Sequence, residues 1–294
     1  MNDHHVISPT AYLTAYWRSM LDIPYAKDIS DKLDAKEVSR DILGDIFESA
    51  SWYGIMMIES RNKALKREVE RIGCKNIYGI AEGALPTGLN MTVDPEVLYV
   101  HTDLPDMLSA SEEVIEGLMK RDSLKRPNLK FMSVNVLDKK QMQEGALLFV
   151  GKPFVMTNKG LLVYLTLSEK IKTIENIRDV MRDNNGLAWI TTDILFKDVS
   201  VTNDQAFGPE YAKVIKKMRE KIAEKTNGRG VGANFFSTED EAHKLFDQIG
   251  FSYKRYPLYD GSFTFDSFSG APEEVKNGAM KLFKDRYIYV LTLK

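Results

Sequence analysis

The chain has 294 residues, 44% hydrophobic and 28% charged, the balance of a globular protein with a sizeable core. Forty basic against 42 acidic residues leave a net charge of −2, which argues against a nucleic-acid partner held by bulk electrostatics. With Cys74 as its one cysteine, the sequence offers neither an intrachain disulfide nor a thiolate metal cluster.

The basic clusters Lys63, Lys66, Arg67, Arg71 and Lys213, Lys216, Lys217, Arg219 fall at helical spacing and read as solvated helix faces. No run approaches the roughly 20 apolar residues of a membrane span. Met1 to His5 carries no basic segment followed by an apolar one. A cytoplasmic protein without a membrane partner is expected, and its oligomeric state is not indicated.

The first third reads helical. Ser8 and Pro9 resemble an N-cap followed by proline at the first helical position. Leu13, Tyr16, Trp17, Met20 and Leu21 then form an amphipathic stripe. A second helix is predicted from about Ser39 to Ile58. A third starts at Arg61 and stops at Gly73, a C-cap candidate.

From Lys75 the texture changes to strands alternating with helices. Strands are predicted over 76–81, 97–102, 129–134, 153–157 and 187–192, with helices over 109–121 and, capped by Ser168, over 169–182. That alternation predicts a doubly wound, mostly parallel α/β sheet covered on both faces. Two further strands, 251–258 and 287–293, are expected to close the chain as an antiparallel strand hairpin. Residues 1–73 would form a helical cap and 74–294 the core, packed as one unit.

In such a sheet, ligands bind outside the carboxyl ends of the strands. Gly83 follows the first strand and permits a tight turn close to a ligand. Asp103 ends the second strand 20 positions later, the spacing at which a carboxylate reaches the ribose hydroxyls of an adenosine. No phosphate-binding G-x-x-x-x-G-K-[ST] occurs. Ala81, Gly83 and Pro86 stand where a G-x-G-x-x-G would be, which disfavours a nicotinamide oxidoreductase without removing it.

Four segments together resemble the leucine carboxyl methyltransferase and polyketide O-methyltransferase group. They are SPTAYLTAYWRSMLDIPYAKDI, then GIAEGALPTGL with VLYVHTDLPDML, then NKGLLVYLTLSEKIKTIENIRDVM, and finally NFFSTEDEAHKLFDQIGF. The resemblance runs from Ser8 nearly to the C-terminus. It implies a seven-stranded methyltransferase sheet, S-adenosylmethionine as cofactor, and a small-molecule or carboxylate methyl acceptor.

Carried over by position, Ala81 and Gly83 would approach the methionine part of the cofactor, and Asp103, followed by Leu104, would hold the ribose. Asn135, Val136 and Leu137 would contact adenine, Arg61 would take the cofactor carboxylate, and Asn158 with Lys159 would border the same site. Tyr25, Tyr53, Tyr164 and Phe235 are the candidates for the acceptor pocket.

Three positions depart from the group's pattern, which has an acidic residue at Gly79, a glycine at Ala81 and a glutamate at Lys159. A cation at position 159 near a sulfonium keeps a second reading open, a methyltransferase-like binding protein without turnover. The four histidines suggest no general base, and no His/Glu/Asp spacing suggests a metal. A carboxylate acceptor needs no base, so no catalytic residue is assigned.

Overall fold

The computed structural model describes residues 8–197, 205–226, 229 and 234–294. His4 and His5 lie outside the described residues. Seven strands form one sheet in the order β3-β2-β1-β4-β5-β7-β6. They are β1 Asn76–Ile80, β2 Leu98–Asp103, β3 Leu129–Ser133, β4 Phe154–Asn158, β5 Gly186–Thr191, β6 Phe251–Pro257 and β7 Tyr287–Leu293. The first five are parallel, while β7 runs antiparallel to both β5 and β6. The sheet is therefore the doubly wound, mostly parallel one expected, closed by its antiparallel pair.

The central strands are apolar because both of their faces are covered. All five residues of β4 are buried, and Ile77 of β1 sits between Tyr99 of β2 and Val155 of β4. Eleven α-helices are described, starting with α1 Ser8–Ser19, α2 Ala26–Lys32, α3 Ala35–Leu43, α4 Phe47–Ile72, α5 Thr87–Met91 and α6 Pro105–Arg121. Then come α7 Lys139–Leu147, α8 Leu167–Asp183, α9 Pro209–Lys225, α10 Glu239–Ile249 and α11 Glu273–Asp285.

One sheet face, with Val155, Ile190 and Val290, shares a core with Leu13 of α1, Ile42 of α3, Met56 of α4 and Met218 of α9. The opposite face, with Tyr78, Met156 and Trp189, packs on Met142 of α7, Ile177 of α8 and Phe246 of α10.

Two local expectations are corrected. Instead of two helices parted near residue 60, α4 runs unbroken for 26 residues. Glu59 and Ser60 are not helix breakers, and the Ser60 hydroxyl donates back to the Met57 carbonyl at 3.1 Å. The chain breaks earlier, at Gly44, whose φ of 55° is left-handed. The cap of α8 is Thr166 rather than Ser168, because Thr166 and Glu169 close a reciprocal capping box. Gly73 ends α4 at φ 73°, with its amide donating to the Val69 carbonyl.

Candidate ligand-binding site

A cavity of about 840 Å³ opens at the carboxyl ends of β1 to β4. Its floor is the loops after those strands, reached at Ala81, Asp103, Ser133 and Lys159. Its other walls are α1, α4 and α9, with Leu195, Phe235 and Arg286. The chain leaves β1 and β4 toward opposite sides of the sheet, so their loops diverge and leave a crevice.

The loop after β1 is bent by two left-handed residues, Ala81 at φ 50° and Gly83 at φ 59°. Gly83 takes this conformation freely, whereas Ala81 does so at a cost of about 1–2 kcal/mol. The loop is fastened to β2 at several points. The Glu82 amide donates to the Thr102 carbonyl at 3.0 Å, and the Thr102 hydroxyl donates to the Gly79 carbonyl at 2.8 Å. His101 Nε2 lies 3.1 Å from the Gly83 carbonyl, an acceptor, so Nε2 carries the proton. Burial lowers the His101 pKa further and keeps the ring neutral.

Asp103 completes this fastening. Its Oδ2 accepts from the Gly83 amide at 2.6 Å and its Oδ1 from the Leu104 amide at 2.7 Å. Burial pushes its pKa up to about 6; the two amides oppose that rise and the charge of Glu82 adds to it. Each carboxylate oxygen still holds a second lone pair for a ligand hydroxyl.

On the β4 side, Asp193 is a fully buried hub. Its carboxylate accepts from the amides of Gly160 (2.7 Å), Leu161 (2.6 Å) and Leu162 (3.2 Å), and from Asn158 Nδ2 (2.8 Å). It also receives Arg61 Nη2 at 2.5 Å, while Arg61 Nε donates to the Thr192 hydroxyl at 2.8 Å. One carboxylate thus sets the path of the loop that presents Lys159.

Of the residues singled out from the sequence, the cavity is lined by Arg61, Ala81, Gly83, Asp103, Leu104, Asn135, Val136, Leu137, Lys159, Tyr53, Tyr164 and Phe235. Asn158 and Tyr25 are not part of its wall. Asn158 is wholly buried, accepting from Trp189 Nε1 at 2.7 Å, and so locks β4 to β5. Tyr25 has φ 65° and precedes α2.

Sequence reasoning missed Arg18, Glu82 and Asp193. An acid inside a glycine turn and an arginine beside the apolar stripe of α1 were visible signals. Asp193 gave none, since its partners come from distant segments. Lys159 and Arg18 are both cations pressed by burial, which lowers the Lys159 pKa to about 8 against the attraction of Glu82. Arginine nonetheless stays protonated at neutral pH. No histidine is among the described residues that line the cavity, and no cluster of metal-binding side chains occurs among the described residues.

No family model matches the chain, and no curated protein sequence matches it. Solved structures do. A provisionally named methyltransferase from Thermobifida fusca superposes with a TM-score of 0.50 at 14% identity, over 96% of this chain and 94% of its own. The methyltransferase domain of the bacterial protein CtHen1 gives 0.49 at 10%, over 80% and 97%. Human N-acetylserotonin methyltransferase, solved with S-adenosylmethionine, gives 0.43 at 12%, over 90% and 62%. The chain has the methyltransferase fold, and at these identities the likeness is one of fold.

Proposed function

We propose that the chain is an S-adenosylmethionine-dependent O-methyltransferase of the leucine carboxyl methyltransferase and polyketide O-methyltransferase group. Its acceptor would be a small molecule or a carboxylate. The observation that carries the reading is the cavity at the carboxyl ends of β1 to β4, walled on one side by Asp103. Its volume lies in the range of pockets that enclose whole small ligands.

The residues present fit the cofactor. Asp103 has lone pairs left for two ribose hydroxyls, Leu104, Val136 and Leu137 offer an apolar wall to a base, and the turn at Ala81 to Gly83 exposes backbone to a ligand. When bound, S-adenosylmethionine supplies a methyl group on a sulfonium, open to in-line displacement. The protein's part is to hold the acceptor in line and to keep water out, a task for the roof of α1, α4 and α9.

Lys159 favours a second reading, a binding protein without turnover, because its ammonium sits among Arg18 and Arg61 in the cavity that would hold a sulfonium. A nicotinamide oxidoreductase is the third. Calorimetry with S-adenosylmethionine, S-adenosylhomocysteine and NAD separates them. Binding of both sulfur nucleosides and not NAD supports the proposal. S-adenosylhomocysteine binding alone favours the second reading, and NAD binding alone ends the first two.

A further inference from the structure

Gly79, the next-to-last residue of β1, has no room for a side chain. A Cβ there would lie 2.7 Å from Glu82 Cγ, 2.8 Å from Glu82 Cδ and 2.7 Å from the Tyr99 hydroxyl. At such non-bonded distances one of the groups would have to shift. The Glu82 side chain therefore folds back over the strand end and fills the volume that a residue at position 79 would take.

That carboxylate is 3% exposed, and neither of its oxygens has a hydrogen-bond partner among the described residues. The Tyr99 hydroxyl lies beside it, near enough to feel its charge and to offer it one donor. Glu82 also lines the cavity. A carboxylate enclosed without donors is costly to bury. The charges closest in effect, Arg18 and Lys159, are cavity-wall groups that offset part of this cost without bonding to it.

Beyond the one donor that Tyr99 can offer, the donors that Glu82 lacks are left to the cavity's contents. A hydroxyl brings one donor, whereas a primary ammonium brings three and a full positive charge. Arg18, whose Nε and Nη1 are also buried without partners, lines the same cavity. A carboxylate and a guanidinium that both keep buried polar atoms without partners in one enclosure match a ligand that carries both charges.

We infer that Glu82 is the binding residue for the α-ammonium of an amino-acid-bearing nucleoside, supplying from the loop after β1 a carboxylate that Gly79 leaves room for. The inference rests on the proposed use of S-adenosylmethionine, and it names which residue reads that ligand's amino group. It also explains Gly79, since a side chain there and the Glu82 carboxylate exclude each other.

Three nucleosides test it by calorimetry on the full chain: S-adenosylhomocysteine, its deaminated analogue with the carboxylate kept, and 5′-deoxy-5′-methylthioadenosine, which lacks the amino acid. The wild type should prefer S-adenosylhomocysteine over the deaminated analogue by about 10- to 100-fold, the scale of a charge-assisted hydrogen bond. In Glu82→Gln that preference should fall below about threefold, with affinity for the other two nucleosides unchanged.

A wild type indifferent to the amino group overturns the inference even if Glu82→Gln does not fold. A variant that weakens all three nucleosides alike does the same, because it marks a structural role. If methylthioadenosine binds while the amino group goes unread, the nucleoside reading survives and only the Glu82 assignment falls. If the wild type binds none of the three, both fall together.

Discussion

Asp103 fastens a loop and, in the proposed function, holds a ligand as well. Its two oxygens hold the Gly83 and Leu104 amides, so Asp103→Ala should loosen the turn as well as remove the proposed ribose contact. A loss of about 1.5–3 kcal/mol in S-adenosylhomocysteine binding is expected, the value of hydrogen bonds to a charged group. Unchanged affinity in a calorimetric titration would reduce Asp103 to a turn-fastening residue.

Lys159 makes a statement about stability. With its pKa lowered to about 8, the folded protein releases that proton earlier than the unfolded chain, whose lysines titrate near 10.4. The unfolded state then binds more protons between these values, and stability rises with pH across that window. Lys159→Met removes the penalty of enclosing the charge, because burial outweighs the attraction of Glu82. Urea unfolding at pH 7 should show the variant about 1–3 kcal/mol more stable, with the gap closing toward pH 10. A gap that is constant with pH would mean that the ammonium is not desolvated.

The crossing of α1 over α4 is built on one absent methyl group. A Cβ at Gly54 would sit 2.2 Å from the Trp17 ring, so this helix pair packs only with glycine there. Both residues line the cavity. Gly54→Ala should cost about 1–3 kcal/mol by overpacking. It should also weaken nucleoside binding by displacing Trp17, and thermal unfolding with and without S-adenosylhomocysteine reads both effects. An unaltered melting temperature would show that Trp17 moves aside freely.

Elements with a period of their own were legible: the strands, the stripe of α1, and Gly73 as a stop. The unbroken α4 was not, since its continuity depends on Gly44 and on tertiary packing rather than on any signal near residue 60. The same division holds at the site. Asp103 and Gly83 announce themselves by spacing along the chain. The Asp193 hub and the fold-back of Glu82 over Gly79 join segments whose proximity only the folded sheet creates.

At the scale of the molecule, the N-terminal helices share one apolar core with a sheet face, as Leu13, Met56 and Val155 do. We propose that 1–73 and 74–294 unfold together, in one transition by calorimetry and circular dichroism. S-adenosylhomocysteine at about 100 times its dissociation constant should raise stability by about 2.7 kcal/mol through mass action. Two separated transitions would divide the cap from the core. A melting temperature unmoved by millimolar nucleoside would count against the proposed function. No described helix is long and apolar enough to cross a membrane.

The order of strands in space is not their order of synthesis. Strand β6 precedes β7 in the chain, yet β7 lies between β5 and β6 and pairs with both. During translation β6 therefore emerges before β7, the one strand it pairs with, and it waits while 258–286 are made. The five parallel strands can assemble beforehand, with β5 exposing the edge that β7 later covers. Since Arg286, at the entry to β7, also lines the cavity, the cavity wall is finished only in that same late step. A released chain truncated after Asp285 should hold a folded parallel half, leave β6 open to protease, and bind no nucleoside.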